Sequence, residues 1–361
     1  LCYWCFGYGA WLCLALMLAA GIIAHHQKLS ALLAAGILLL PATQYPATTW
    51  WSKPDLDREY VLSLDVEHYF GNIQKMRKHL ETDRQILWVS YYRNLYNATH
   101  PSEINSPVSL SRNLLAWNQP GTNGLILPVN PSASFLSILF ANELWFTLGD
   151  MTMAEHCAML SMIFSPRNSG SRMIKRLAEI NLVNGDDEAA LKYLRILDKT
   201  LLHKSWAEKR IPGQQTPRVK EWLEKKRRDI PTQDQLRSGN DAVTSLRNLV
   251  ASNAGNLRAY EYLLCYHLLS KDLRSFVEDY VPGKVSSSIF AEALLIHLAR
   301  QGNIRAEELI KYQIPVEIAK EFADYTRIYE AKDTSLKEKY GKTYWFYYHF
   351  ATTEPGKESK P

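Results

Sequence analysis

The chain has 361 residues and a mass of 41.4 kDa, enough for two or three domains at roughly 150 residues each. Hydrophobic residues make up 47% and charged residues 22%, with 17 Gly and 16 Pro, which excludes collagen-like, disulfide-framework and wholly disordered chains. A net charge of +5 from 42 basic and 37 acidic residues is too balanced for a dedicated nucleic-acid binder, so no nucleic-acid partner is expected.

The mean hydropathy of -0.24 conceals a very apolar start. Residue 1 is Leu rather than Met, and the expectation is a chain cut from something longer. No charged residue occurs over the 23 positions from Cys2 to Ala24, and about 20 apolar residues suffice to cross a bilayer as a helix. The stretch has neither the basic opening nor the short core of a signal peptide. His25-His26-Gln27-Lys28 interrupts it, and a second run from Leu29 to Ser52 is uncharged for 24 residues. Pro41 and Pro46 punctuate that run, and Trp50 and Trp51 close it with rings suited to the membrane interface. Residues 1–52 therefore read as a transmembrane helical hairpin, with crossings near 2–24 and 29–51. Lys28 puts the tip in the cytoplasm, and everything from residue 53 onward on the other side.

Three of the five cysteines, Cys2, Cys5 and Cys13, lie in the first apolar run, whereas Cys157 and Cys265 stand singly on helical patterns. Cys2-Tyr3-Trp4-Cys5 has redox spacing, but it lacks the βαβ context that such chemistry needs.

Residues 53–361 change to helical periodicity broken at short intervals by Gly, Pro and Asn. Clear helices are expected at Phe135–Leu148, Met151–Ile163, Ser171–Val183 and Asp187–Thr200. Others follow near Leu257–Leu269, Lys271–Tyr280, Ser288–Arg300 and Ile304–Tyr312. The turns Gly149-Asp150 and Gly185-Asp186 are 36 residues apart, and alanine follows each glycine by five positions, at Ala154 and Ala190. Pro166 closes the first unit and Ala178 precedes the second turn. Small residues at such offsets let two helices of a tetratricopeptide unit approach closely. Fainter copies turn at Phe70-Gly71-Asn72, at Ser270-Lys271 and at Gln301-Gly302-Asn303. The fold class is all-α: a transmembrane hairpin, then a tetratricopeptide-like α-solenoid with a groove for partners.

Two stretches break the period. Residues 106–131 hold Pro107, Pro120, Gly121, Gly124, Pro128 and Pro131, and read as an irregular insertion. Residues 210–240 hold Pro212, Pro217 and Pro231 around one basic helix. From Lys199 to Arg228 ten basic residues face only Glu208, Glu221 and Glu224. Arg218, Lys220, Lys225, Lys226, Arg227 and Arg228 are the candidate site residues, a surface for anionic lipid headgroups or an acidic partner. Near the C-terminus, residues 344–350 carry six aromatics in seven positions. Such a helix either packs over the last repeat or meets the membrane interface.

Complete catalytic or ligand motifs are not found. Gly341-Lys342-Thr343 lacks the first glycine of a phosphate loop, since Leu336 stands there. His25 and His26, being adjacent, are poor joint metal ligands, and Glu155-His156-Cys157 reads as repeat packing. No catalytic residue, cofactor or metal is expected.

Three segments carry a family resemblance: SYYRNLYNA (90–98), SRMIKRLAEINLVNGDDEAALKYLRILDKTLLHKSWA (171–207) and TYWFYYHF (343–350). With them the chain resembles the C-terminal part of a bacterial multi-pass membrane protein family of unknown function. In that family a membrane region precedes tetratricopeptide-like helices. The resemblance implies a membrane location and a helical repeat domain, and it implies no catalytic residues. Together with the orientation read from Lys28, the expectation is a multi-pass bacterial inner-membrane protein with a periplasmic repeat domain. The expected function is a membrane-anchored scaffold, in contact with lipid, that binds protein or peptide partners without catalysis. The alternative is an accessory or substrate-binding domain of a multi-pass membrane enzyme, for example a lipid-linked transferase, whose catalytic part lies upstream.

Overall fold

The computed structural model describes residues 53–80, 87–99, 135–164, 170–232 and 242–351, and among them every regular element is a helix. The all-α expectation therefore holds for the described residues. The expected hairpin at 1–52 and the insertion at 106–131 lie outside them, as do residues 233–240 of the second insertion. Among the described residues no helix is long and apolar enough to cross a membrane.

The chain divides into two compact units, Leu1–Ile86 and Leu87–Pro361. In the first, α1 (Lys53–Tyr69) and α2 (Ile73–Leu80) form a helix pair. Val61, Leu64, Met76 and Leu80 are buried. The Tyr60 hydroxyl donates to the His79 carbonyl, and the two rings meet edge-on at 5.9 Å.

The second unit begins with α3 (Leu87–Thr99), which packs on α4 (Phe135–Leu148). Phe140 is the shared contact, touching the rings of Trp88, Tyr91 and Tyr92 at 5.0–5.6 Å. Helices α5 (Met151–Phe164), α6 (Ser171–Asn184) and α7 (Asp187–Asp198) follow, each packed on its predecessor. Ala154, Ala178 and Ala190 are fully buried, as close helix approach requires. The short α8 (Lys204–Glu208) and α9 (Pro217–Arg227) come next. A second run of helices comprises α10 (Ala242–Ser252), α11 (Leu257–Leu269), α12 (Leu273–Asp279) and α13 (Ser288–Arg300). It ends with α14 (Ala306–Lys311), α15 (Val316–Glu330), α16 (Leu336–Tyr340) and α17 (Tyr344–Phe350).

One turn geometry closes seven of the helices among the described residues. Gly71, Gly149, Gly185, Lys271, Gly302, Gln313 and Lys332 all have φ between 54° and 93°. The N–H of the next residue donates to the carbonyl five positions back each time: Asn72 to Glu67, Asp150 to Trp145, Asp186 to Asn181 and Asp272 to His267. Asn303 to Leu298, Ile314 to Leu309 and Asp333 to Ile328 complete the set, at 2.8–3.3 Å throughout. This is the Schellman closure, in which a left-handed residue lets the chain reverse onto an otherwise orphaned carbonyl. At three of these turns the residue that follows also caps the next helix. Asp150, Asp186 and Asp272 each accept the N–H three residues on, at 2.9–3.0 Å. Glycine marks four of these turns in the sequence, and the fifth is expected at Lys271; Gln313 and Lys332 carry no such signal.

The aromatic run at 344–350 packs inward. Tyr344, Trp345 and Tyr347 are buried. The Tyr344 and Tyr347 hydroxyls donate to the Leu268 and Leu269 carbonyls at 2.9 and 2.8 Å. Those carbonyls end α11, where intrahelical donors run out. The Leu268 carbonyl also accepts the Lys271 N–H at 3.1 Å, and the tyrosines add hydroxyl donors and apolar cover. Trp345 Nε1 donates to the Glu292 carbonyl at 3.0 Å, and the Glu292 carboxylate accepts the Tyr344 N–H at 2.5 Å.

Candidate functional site

Thr216-Pro217 starts α9, with proline at the first helical position where its missing N–H costs nothing. Val219 and Leu223 are buried. Trp222 and Lys226, one helical turn apart, fall on the side shared with them and reach the same ring on α4. Trp222 stacks with Phe146 at 6.3 Å, and Lys226 Nζ lies 4.6 Å from its centroid. Arg176 of α6 sits over that ring as well, at 3.8 Å. Phe146 thus holds two cations and an indole, the arrangement in which a ring quadrupole favours positive charge.

The six sequence candidates split between two environments. Arg218, Lys220, Lys225, Arg227 and Arg228 are exposed. Lys226 is half-buried against Phe146. Arg227 donates to the carbonyls of Val183 and Leu182 at 3.0 and 2.8 Å, satisfying the C-terminal end of α6. Of the cationic surface read from the sequence, Lys226 alone is drawn inward, while Arg227 stays exposed with its guanidinium anchored on α6.

Beyond α9 the chain joins the two runs of helices. The Asp229 carbonyl accepts from Asn256 Nδ2, which also donates to the Leu148 carbonyl, both at 2.7 Å. Arg258 binds the Asp229 carboxylate and the Thr147 carbonyl, both at 3.0 Å. Asn253 Nδ2 donates to the Ile230 carbonyl at 3.0 Å, and Thr232 pairs with Ser252. The end of α4, the end of α9 and the start of α11 are thereby locked into one seam.

Charge in the seam is nearly balanced. Glu143 accepts from Arg172 and Arg176 at 3.0 and 2.5 Å, and Glu179 pairs with Arg176 at 3.0 Å. Lys226 has no ion pair among the described residues. Burial pushes its ammonium down to about 8, and the neighbouring Arg258 and Arg176 push the same way. A second cation–aromatic stack lies at Trp206, with Arg210 at 4.1 Å and Lys175 at 5.2 Å. Burial lowers the pKa of both cations.

These groups bind and brace; they do not assemble a nucleophile with a base. Ser171 Oγ and His203 Nε2 are 3.2 Å apart, but no carboxylate orients the imidazole among the described residues, as a triad requires. The Cys157 thiol is buried and pushed up to about 12. Among the described residues no three His, Cys, Asp or Glu gather where a metal ion could bind.

Residues 29–351 match the model of a family of unknown function. The chain belongs to that family, DUF6057. The match takes in both helical runs, the seam and the aromatic C-terminal helix. Neither the curated proteins nor the solved structures give a match.

Sequence reasoning reaches α9 but not its receiving face. Phe146, Arg176, Asn256 and Arg258 are scattered over more than a hundred residues, and no short-range spacing links them. The signal that the sequence does hold is Trp222 at i,i+4 from Lys226, an aromatic and a cation on one helical face.

Proposed function

We propose that this DUF6057 chain is a membrane-anchored helical-repeat scaffold that binds protein or peptide partners and has no catalysis of its own. The observation that carries the reading is the recurring turn, with a left-handed residue and a capping Asp in register at 149–150, 185–186 and 271–272. Repeated units of this kind, with fully buried alanines between their helices, suit a tetratricopeptide-like solenoid. Stacked repeats present a long continuous surface to partners. The exposed cations Arg218, Lys220, Lys225 and Arg228 give that surface positive charge for an acidic partner or anionic headgroups. In this reading residues 2–24 and 29–51 cross the bacterial inner membrane and the repeat domain is periplasmic.

Two experiments test it. The full chain is crosslinked in its own membranes and compared with a variant carrying glutamate at all four outward positions. Specific partners recovered with the parent and lost from the variant support the scaffold; identical recovery from both rejects partner binding at this face. For the topology, a phosphatase reporter fused after Pro361 is active if the repeat domain is periplasmic. A fluorescent reporter that lights up only in the cytoplasm rejects that orientation.

A further inference from the structure

The turn between α7 and α8 exposes two consecutive leucines. Leu201 is 97% exposed and Leu202 83%, although both lie in a well-built turn. Thr200 Oγ1 donates to the Leu197 carbonyl at 2.7 Å and accepts the His203 N–H at 3.2 Å. The Lys204 N–H donates to the Thr200 carbonyl at 3.1 Å. On either side the chain is pinned to the core, where Leu197 and Ala207 pack together with Ala178 and Leu194. With those core places filled and the backbone fixed, the two leucines stay outside.

Cations flank this apolar tip along the chain. Lys199 and Lys204 flank it and are exposed, as are Arg195 one turn earlier on α7 and Lys209 just beyond α8. The acidic residues within 195–209 are Asp198 and Glu208. An exposed apolar tip flanked by exposed lysines matches the cross-section of an anionic bilayer surface, with leucine reaching the acyl boundary and lysine heads at the phosphates. A second copy of the chain is a poorer match. Two leucine side chains offer roughly 200 Å² of apolar area, against about 800 Å² a side in a standard protein interface. The uncharged runs at 2–24 and 29–52 bring a bilayer to the same chain.

We infer that Leu201 and Leu202 form a second membrane contact, inserted into the headgroup–acyl boundary of an anionic bilayer and held there by Lys199 and Lys204. The inference rests on the membrane attachment proposed above and adds a fixed point that orients the repeat domain on the bilayer.

The test uses the full chain with Cys2, Cys5 and Cys13 replaced by alanine, in vesicles of phosphatidylcholine and phosphatidylglycerol. Cys157 and Cys265 are buried and stay unlabelled. An environment-sensitive fluorophore is placed through Leu202→Cys or, as reference, through Asp187→Cys, exposed at the other end of α7 about 18 Å away. Doxyl-labelled lipid is expected to quench the probe at 202 at least twofold more than at 187. K199Q together with K204Q is expected to remove most of that difference. Equal quenching at both positions in floated vesicles overturns the inference and leaves membrane attachment standing. Shielding of position 202 from aqueous iodide without doxyl quenching overturns it in favour of a protein contact. A chain that does not float with the vesicles overturns the inference and the attachment together.

Discussion

The carbonyl of Asp229 occupies the space that a β-carbon on Gly149 would need. Gly149 ends α4 at φ +93° and Asp229 follows α9, so one glycine serves both a hairpin turn and the seam between the two helical runs. Gly185 closes α6 in the same left-handed way, at φ +82°, with open space where its β-carbon would go.

That contrast separates two costs. Gly185→Ala should lower stability by about 1 kcal/mol, the penalty of a side chain in the left-handed region. Gly149→Ala bears the same penalty, and it also displaces Asp229 from its bonds with Asn256, for a total of about 3 kcal/mol or more. Urea unfolding of the two variants side by side measures the difference, and equal losses would remove Gly149 from the seam.

Lys226 tests the balance of the cluster. An ammonium held down to about 8 by burial and by neighbouring arginines favours the neutral form in the folded state. Its charge therefore works against folding below pH 8, and the penalty fades as pH rises from about 8 towards the ordinary lysine value. Lys226→Met keeps the stem against Phe146 and removes the charge, and should be neutral or stabilising by about 1 kcal/mol at pH 7. Phe146→Ala, which empties the site beneath Trp222, Lys226 and Arg176, should cost about 3–5 kcal/mol. Thermal unfolding at pH 7 ranks the pair; destabilisation by Lys226→Met would mean that its cation–ring contact outweighs its burial.

Glu292 gives the C-terminal helix a pH dependence. Burial raises its carboxyl to about 7, and Glu321 nearby adds to the rise, while the Tyr344 N–H bond opposes it. The folded state therefore holds a proton that the unfolded chain releases near pH 4.5. This contribution to stability is full below about 4.5, declines by about 1.4 kcal/mol per pH unit, and is lost above 7. Glu292→Gln keeps an acceptor for Tyr344 and should flatten the stability profile between pH 5 and 7. Unfolding curves across that range read the slope, and an unchanged slope in the variant would exonerate Glu292.

Cys157 and Cys265 are buried, and burial raises both thiols. Reactivity follows the accessible thiolate, so neither should be alkylated by iodoacetamide at pH 8 in the native protein, and both should react in denaturant. Site-resolved mass spectrometry checks each one, and native labelling at Cys157 would show that α5 opens on the labelling timescale.

Most helix positions are legible in the amino-acid sequence. The sequence locates α4 to α7, α11 and α13 with ends within two residues. Helices α6 and α7 show a one-sided 3.6-residue pattern, whereas α4, α11 and α13 are buried on nearly every side and read as apolar runs bounded by turn residues. Glycine marks the turns where left-handed φ is cheapest, so Gly71, Gly149, Gly185 and Gly302 are visible. Gln313 and Lys332 reach the same φ and make the same closing hydrogen bonds, although neither residue type signals a left-handed position. Positive charge is concentrated at 199–228 by the sequence alone, since charge is a property of composition. Which of those cations face solvent is not. Lys226 turns inward because Phe146 lies within reach, and Arg227 stays exposed but reaches the last carbonyls of α6. Lys225 and Arg228 remain outside because the helix turns each residue about 100° from the last. Only the folded chain brings residues 146, 176, 222 and 258 together, since their attraction acts through space and leaves no periodic mark along the chain.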